Sequence, residues 1–472
     1  MKNILCRSCL FWVVFLFCHV AYSYSIKVKI NGLKDSTCYL GYYFGQKKYT
    51  PVDTAKADAN GNLLFSKKDK LKEGVYLIIL PKIYLELIIT NEQDITLETD
   101  TSDYVGKMKI KGSQESKLFY EFQKYMIEKS QKMQQLSAKL KQTSDPDSIK
   151  AINEKGKALQ EEIKKYRDQL YAANPKAFTT KLLRAAEEPE VPDFKLPSGH
   201  RDSVRAFLYY RDKFLENLDF SDERMLRTPI FIPKVERYVN ELTLQVPDSI
   251  IKSVTTILTK AEANKEIFKY FTATFTNTYE TSSIMGQDAI FVYLAKNYYL
   301  KGKCFWADTA MLRKIKERVT ILEPLLIGKT APNIYLADTA GNYLPLHTIK
   351  SKYLVVIFWD AECGHCQKEV PKLFELYKSS LRSTGVSVYA ATIERQDNSW
   401  MKFIKEKKLF APGWFNVRDK YNHTDFRNVY DVYSTPVIYI LDENKKIIAK
   451  RLGVDQIADF LKNYETRLKK SN

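Results

Sequence analysis

The fold of the carboxy-terminal third is decided by residues 352–371, which read KYLVVIFWDAECGHCQKEVP. The stretch opens with a nearly continuous apolar run, the pattern of a strand that is buried on both faces. Cys363 and Cys366 follow directly, and residues 366–383 are helical in pattern. A strand that leads straight into a helix predicts that Cys363 lies at the N-terminus of that helix.

Strand and helix alternate through this region, which begins near Ile327. The predicted elements are strands 352–359 and 386–393, helices 366–383 and 400–408, a strand hairpin of 437–441 and 446–451, and a closing helix 454–468. This order predicts an α/β domain over residues 326–472, with the cysteine pair at the end of its first long strand.

The position of the two cysteines indicates redox chemistry. The thiolate is the nucleophile in disulfide exchange, and a helix N-terminus stabilises it through unpaired N–H groups and a partial positive charge. Cys363 is therefore predicted to be the exposed attacking sulfur. Cys366, one turn further along, is predicted to be more buried and to resolve the mixed disulfide. His365 lies between them and favours the thiolate further when it is charged.

The amino terminus has the three parts of a secretory signal peptide, spanning residues 1–23. Lys2 and Arg7 precede an apolar run from Leu10 to Phe17, and small residues follow around a cleavage position after Ser23. The apolar run is too short for a stable membrane span, and no later stretch approaches the required length. We therefore expect a soluble mature protein in the periplasm.

A bacterial lipoprotein signal is the alternative for this segment, with Cys18 as the lipidated residue. Such signals have a small side chain where this sequence has Phe17. Cleavage after Ser23 is therefore the favoured prediction.

Signal cleavage leaves four cysteines, which are Cys38, Cys304, Cys363 and Cys366. So few cysteines in a chain of this length do not form the disulfide framework of a small secreted domain. Structural zinc needs four ligands, usually from two cysteine pairs, but only one pair is present, with His347 and His423 as further candidate ligands in the domain. No metal is expected. Cys38 and Cys304 are expected to be buried apolar residues rather than a disulfide between domains.

Two other composition regimes precede the α/β region. Residues 24–112 contain short β-forming runs broken by turn residues, which predicts a small antiparallel sandwich or open barrel. Residues 113–325 are helical, and apolar spacings on either side of residues 145–148 predict an antiparallel helical hairpin. We expect this hairpin to have an apolar stripe and a charged outer face rather than to be a dedicated docking arm. The predicted fold class is therefore multidomain, with sandwich or barrel, all-α and α/β parts in that order.

The net charge of +18 does not indicate a nucleic-acid partner. The lysines are dispersed, with no Arg-rich stripe of the kind that a groove binder shows. The excess charge is better explained as solvated surface with some attraction to anionic envelope components.

The carboxy-terminal region resembles the TlpA/ResA/DsbE type of secreted thioredoxin-like proteins. The matching segments are GKTAP at 328–332, Asp338 to Gly341, Phe358-Trp359, CGHC at 363–366 and STPVIYI at 434–440. They occur in the family's order over about residues 327–470. The upstream region is similar to an extension found on many secreted thioredoxin-like proteins of Gram-negative bacteria, and that similarity implies no activity.

The resemblance assigns roles to further residues. Glu369 matches a family glutamate and is expected to shuttle the proton of Cys366, with a helix-surface charge as the alternative. Thr435-Pro436 matches the cis-proline loop beside the attacking sulfur, with an ordinary trans proline as the alternative. Thr435, Pro436 and Trp359 are the expected substrate-binding residues.

Three positions depart from related patterns. Thioredoxins proper have a buried Asp where this chain has Ile357, and a Trp where it has Glu362. Peroxiredoxins have Thr or Ser where this chain has Asp360, so peroxidase chemistry is not expected.

These observations predict a periplasmic thiol-disulfide oxidoreductase that exchanges disulfides with proteins and needs no cofactor. Gly364-His365 matches protein disulfide isomerase, an oxidising enzyme, but Glu369 and Phe358-Trp359 favour a reductase of envelope thiols that a membrane electron donor keeps reduced. The helical domain is a candidate surface for homo-oligomers. The alternative is a non-catalytic envelope scaffold whose domains only bind partners.

Overall fold

The computed structural model describes residues 24–45, 47–394, 397–420 and 423–471. Their contacts group into two compact units, Met1–Tyr238 and Val239–Asn472. The predicted signal segment, residues 1–23, lies outside the described residues and stays a prediction. Within the described ranges, no helix combines the length and the apolar character needed to cross a membrane.

In the described part of the first unit, eight strands form two four-stranded sheets. They are β1 (Tyr24–Asn31), β2 (Thr37–Phe44), β3 (Lys47–Lys56), β4 (Asn62–Lys67), β5 (Gly74–Ile79), β6 (Tyr84–Ile89), β7 (Asp94–Asp100) and β8 (Lys109–Lys111). The sheet orders are β4-β1-β7-β8 and β3-β2-β5-β6. Every second residue of β1 is buried from Tyr24 to Ile30, so one face of this strand packs on the core.

The first of these sheets is mixed rather than antiparallel. β1 runs parallel to β7, with Ser25 opposite Asp94 and Asn31 opposite Asp100. The expected all-antiparallel arrangement is therefore wrong for this pair. The reason lies in the connection, because the second sheet lies between β1 and β7 in the chain and provides the long crossover that parallel pairing needs. The sandwich or open barrel expected for this region goes beyond these pairings and stays a prediction.

Helices follow the sheets, as expected for a multidomain chain. They are α1 (Gln114–Gln142), α2 (Pro146–Ala173), α3 (Phe178–Ala186), α4 (Ser203–Lys213) and α5 (Phe231–Asn240), the last of which crosses the boundary between the units. Tyr125 stacks on Tyr166 with ring centroids 3.7 Å apart, and Lys129 Nζ lies 2.5 Å from Glu162 Oε1. The contacts move towards the C-terminus on α1 and towards the N-terminus on α2. The two helices are therefore antiparallel, which confirms the hairpin.

The second unit begins with helices and continues as an α/β sheet. Its helices before the sheet are α6 (Pro247–Ala261), α7 (Lys265–Glu280), α8 (Asp288–Leu294) and α9 (Thr309–Leu322). The elements after them are β9 (Tyr335–Asp338), β10 (Tyr343–Pro345), β11 (Tyr353–Trp359), α10 (Cys366–Leu376), β12 (Val386–Thr392), α11 (Asp397–Glu406), β13 (Trp414–Arg418), α12 (Phe426–Tyr430), β14 (Val437–Asp442), β15 (Ile447–Lys450) and α13 (Ile457–Ser471).

Strand β11 lies inside a seven-stranded sheet of order β10-β9-β13-β12-β11-β14-β15. It pairs in parallel with β12 and antiparallel with β14. All of its residues are buried. Tyr353, Val355, Ile357 and Trp359 join one core cluster, and Leu354, Val356 and Phe358 join another. The apolar run therefore forms a strand that is covered on both faces, as predicted.

Several short elements of this sheet were not predicted. Strands β9, β10 and β13 and helix α12 have three to five residues each. Strand β13 also carries the polar Asn416, which is buried because its amide donates to Leu409 O at 2.6 Å and its Oδ1 accepts from Trp414 Nε1 at 2.9 Å. The helix predicted over residues 366–383 ends at Leu376 and continues as a π turn, Tyr377–Leu381.

Candidate active site

The two cysteines lie at the junction between β11 and α10. β11 ends at Trp359 and α10 begins at Cys366. The Cys363 N–H donates to Asp360 O at 3.2 Å, and the Cys363 carbonyl accepts the N–H of Gln367 at 3.0 Å. Helical hydrogen bonding therefore already includes Cys363, as expected for a residue at the N-terminus of the helix.

The pair differs in burial. Both residues are present as thiols. Cys366 has 0% exposed surface and belongs to the core cluster that contains Trp359, whereas Cys363 is half-buried at the edge of that cluster. Cys363 is therefore the more accessible residue of the pair.

The pKa values of the two thiols separate in the same direction. Burial opposes ionisation of Cys363, yet hydrogen bonding by the Thr435 side chain and by the backbone N–H groups of Cys366 and His365 lowers its pKa below the ordinary value. Burial raises the pKa of Cys366 to about 11. At neutral pH Cys363 is therefore the more readily ionised of the two thiols.

Residues far along the chain complete the site. β14 pairs with β11 so that Val437 lies opposite Phe358. This pairing brings the preceding residues to the cysteine, and Cys363 Sγ donates to Thr435 O at 3.4 Å. The Thr435-Pro436 peptide bond is cis. The expected cis bond and its position beside the Cys363 sulfur are both confirmed.

Two other expected residues, His365 and Glu369, lie near the pair. His365 is exposed and contributes its backbone N–H to the environment of Cys363. The Glu369 side chain is 26% exposed, on the first turn of α10, and lies 3.9 Å from Lys372 Nζ. Their expected chemical roles remain predictions.

Trp359 does not lie where a substrate-binding residue is needed. Its side chain has 0% exposed surface, and its ring lies 5.5 Å from the ring of Phe403. Alternation along β11 points this residue into the same core cluster as Val355 and Ile357. The expected direct contact with substrate is corrected to a packing role beneath the cysteine turn.

One carboxylate at the site was missed from the sequence. Glu394 follows β12, whose end is fixed beside β11 by the Ile393 N–H to Trp359 O hydrogen bond of 2.9 Å. Ser399 Oγ donates to one carboxylate oxygen, and the other is buried without a hydrogen-bond partner among the described residues. Burial and the nearby charges of Asp360 and Glu362 raise the pKa of Glu394. A carboxylate directly after a predicted parallel strand was the available signal.

The other two cysteines and the candidate ligand His347 have ordinary structural surroundings. Cys38 and Cys304 are buried thiols, as expected. His347 Nε2 lies 2.8 Å from Ala331 O. Across the described ranges, no three His, Cys, Asp or Glu side chains are grouped so that they could hold a metal ion.

Three family models match separate parts of the chain. Residues 327–450 match the AhpC/TSA family. Residues 24–119 and 160–323 match two domains of unknown function, DUF4369 and DUF5106.

Relatives of known name match the carboxy-terminal part. The chain is 29% identical over 142 residues to the thiol-disulfide oxidoreductase ResA of Bacillus cereus (strain ZK / E33L), covering 30% of this chain and 78% of that protein. It is 26% identical over 126 residues to ResA of Bacillus subtilis (strain 168), covering 27% of this chain and 67% of that protein.

Solved structures are similar as well. A "domain of possible thiol-disulfide isomerase" from Cytophaga hutchinsonii is 54% identical, with 31% of this chain and 98% of that chain covered and a TM-score of 0.30. A thioredoxin-like protein from Bacteroides caccae is 15% identical, with 58% and 97% covered and a TM-score of 0.46.

Proposed function

The carboxy-terminal part of the chain belongs to the thioredoxin-like thiol-disulfide oxidoreductases of the TlpA/ResA/DsbE type, and we propose that it reduces disulfides of cell-envelope proteins through Cys363 and Cys366. The asymmetry of the pair carries this proposal. The half-buried Cys363 thiol has the lowered pKa, and the fully buried Cys366 thiol has the raised pKa. Disulfide exchange needs one accessible, readily ionised thiol for attack and a second thiol that resolves the mixed disulfide.

The first step is attack on the substrate. The Cys363 thiolate attacks one sulfur of a substrate disulfide, and a new disulfide forms between Cys363 and that sulfur as the old bond breaks. The other substrate sulfur leaves as a thiolate and takes a proton from water. The half-buried position of Cys363 leaves its sulfur accessible to this reaction.

The second step releases the product. Cys366 loses its proton to the Glu369 carboxylate and attacks the Cys363 sulfur, which breaks the mixed disulfide. The second substrate sulfur leaves as a thiolate, the Cys363-Cys366 pair becomes a disulfide, and two electrons have passed to the substrate. A membrane electron donor then returns the pair to the dithiol.

The substrate is proposed to bind as an extended segment next to Thr435 and Pro436. The Thr435 carbonyl accepts a hydrogen bond from Cys363 Sγ at 3.4 Å, so a segment bonded to the Thr435 backbone lies within reach of the attacking sulfur. Main-chain pairing of this kind binds extended peptides with little demand on their sequence.

The location and domain division form the rest of the proposal. We propose a periplasmic protein released by signal cleavage, with a β-sandwich domain over residues 24–112, a helical domain over 113–325 and the redox domain over 326–472. We propose that the helical domain is the surface through which the protein forms homo-oligomers.

Reduction of insulin by dithiothreitol tests the proposed function. We expect the purified protein to accelerate the reaction, and we expect Cys363→Ser to abolish the acceleration because the nucleophile is lost. Cys38→Ala, which changes a buried thiol in the other unit, is the control and should keep the activity. A wild-type protein that does not accelerate the reaction would support the scaffold alternative.

A further inference from the structure

Helix α9 contacts the loop between α12 and β14, which contains Thr435 and Pro436. α9 lies outside the segment that matches the AhpC/TSA family and within the one that matches DUF5106. Its Arg318 binds Asp431, the residue that directly follows α12. Both residues belong to the second unit. A part of the chain with no assigned activity therefore contacts the active-site loop.

The contact is a bidentate ion pair with a buried carboxylate. Arg318 Nη1 donates to Asp431 Oδ1, and Arg318 Nη2 lies 3.3 Å from Asp431 Oδ2. Arg451 Nη2 donates to the same Oδ2 at 2.6 Å. The Asp431 side chain is only 2% exposed, and its φ of 54° is left-handed. Two guanidinium groups thus hold the start of the loop in one fixed geometry.

The same arginine also holds an aromatic ring at the surface. The Arg318 guanidinium lies 5.7 Å from the centroid of the Tyr433 ring, and the Arg427 guanidinium lies 5.9 Å from it. These are cation–π distances. Tyr433 is nevertheless 60% exposed. The ring therefore contacts two guanidinium groups and still exposes more than half of its surface to solvent.

This ring lies close in sequence to Thr435, which contacts the proposed attacking sulfur. Tyr433 precedes Thr435 by two positions, and the Thr435 carbonyl accepts a hydrogen bond from Cys363 Sγ. A substrate segment paired with the Thr435 backbone would extend past residue 433. Exposed tyrosines of low conformational freedom are common anchors in protein recognition.

We propose that Arg318 is a positioning residue for substrate polypeptides: it fixes residues 431–435 so that the Tyr433 ring contacts an apolar side chain of the substrate beside the disulfide that Cys363 attacks. The inference rests on the proposed thiol-disulfide exchange. It assigns the helical region before the redox domain a role in substrate binding.

Two substrates separate positioning from chemistry. Insulin is a polypeptide that can contact Tyr433, whereas 5,5′-dithiobis(2-nitrobenzoate) is a small disulfide that needs only Cys363. We expect Arg318→Met to lower kcat/KM for insulin by about tenfold, mainly through KM, and to change the rate with the small disulfide less than about twofold. Arg318→Lys should restore part of the loss because it keeps the charge near Asp431 and Tyr433.

Three further variants control for indirect effects. Arg313→Met changes an exposed arginine of the same helix and should match the wild type. Val254→Ala makes a cavity on α6 and should lower stability without the loss of kcat/KM for insulin. Tyr433→Ala should reproduce the effect of Arg318→Met, and the double variant should lose little more than either single variant because both act on one contact.

The inference is overturned if Arg318→Met behaves like Arg313→Met, if both substrates slow in parallel, or if Val254→Ala loses as much activity. Asp431 keeps Arg451 in the Arg318→Met variant, so the buried carboxylate is not left without a partner. A wild-type protein that reduces neither disulfide would refute the proposed function itself, and the inference with it.

Discussion

At the scale of single residues, hydrogen bonds and burial separate the pKa values of Cys363 and Cys366. The Thr435 side chain and the backbone N–H groups of Cys366 and His365 favour the Cys363 thiolate. Burial favours the protonated form of Cys366. The two cysteines are three positions apart, but their environments give them different chemistry.

The ionisation of the two thiols can be measured directly. Only the thiolate reacts with iodoacetamide, so the alkylation rate rises with pH through each pKa. We expect the rate at Cys363 to level off at a pH below the ordinary thiol value and the rate at Cys366 to rise until about pH 11. Mass spectrometry of the alkylated peptides gives each rate separately. Faster alkylation of Cys366 at neutral pH would reverse the assigned roles.

Glu369 is the second residue whose role can be tested. Glu369→Gln removes the carboxylate that is proposed to accept the Cys366 proton, so we expect resolution of mixed disulfides to slow by about 100-fold. The control is Glu375→Gln on the same helix, where the side chain is 70% exposed. Rapid-quench measurement of mixed-disulfide decay follows the rate, and urea unfolding follows stability. Equal losses of rate and stability would indicate a structural role instead.

At the scale of secondary structure, β11 supports the site because it is packed on both faces. Its buried side chains alternate between two core clusters, and its last residue directly precedes the cysteine turn. Strand pairing then brings the Thr435-Pro436 loop and Glu394 to the same edge of the sheet.

A cavity in β11 should therefore be costly. Ile357→Ala removes a side chain with no exposed surface between β12 and β14, and we expect a loss of about 2–5 kcal/mol in the free energy of unfolding. Ile284→Ala, at a 62% exposed position of the same unit, should cost less than about 0.5 kcal/mol. Urea titration compares the two variants. Similar small losses would mean that the strand is not the tightly packed centre of the domain.

The sequence predicted the elements whose signals are local. The apolar run of β11, the CGHC turn and the strand after Pro436 each show their pattern within a few neighbouring residues. Contacts between distant segments were not predictable in this way. The parallel pairing of β1 with β7 and the Arg318 contact with Asp431 depend on how separated segments meet.

Some misses have a more specific cause. Strand β13 was missed because it is short and contains Asn416, whose burial depends on hydrogen-bond partners that the sequence does not reveal. Trp359 was assigned to substrate because its motif lies beside the cysteines, but the strand's alternation turns its side chain into the core. Motif position and side-chain direction are separate questions.

At the scale of the whole molecule, the second unit combines helices α6 to α9 with the seven-stranded sheet that contains β11. Lys450 at the end of β15 donates to Asp288 at the start of α8 and to Leu325 O at 2.6 Å. Lys450 is 4% exposed, and burial lowers its pKa. A buried ion pair thus connects the helices with the edge of the sheet inside one unit.

This pair should couple the stability of the two parts. Asp288→Asn leaves a buried ammonium without its carboxylate, so we expect the free energy of unfolding to fall by about 3–5 kcal/mol. Glu323→Gln breaks the exposed pair with Lys296, whose atoms are 2.6 Å apart, and should cost less than about 1 kcal/mol. Urea unfolding followed by circular dichroism and by tryptophan fluorescence tests both. Equal effects of the two variants would exclude the coupling.

The most direct test of the redox function is to trap its intermediate. In a Cys366→Ser variant the mixed disulfide cannot be resolved, because the second sulfur is absent. The purified variant is incubated with oxidised insulin, and the adduct is digested and mapped by mass spectrometry. We expect insulin joined to Cys363 through a disulfide. The absence of an adduct, or an adduct through Cys38 or Cys304, would contradict the assignment of Cys363 as the attacking nucleophile.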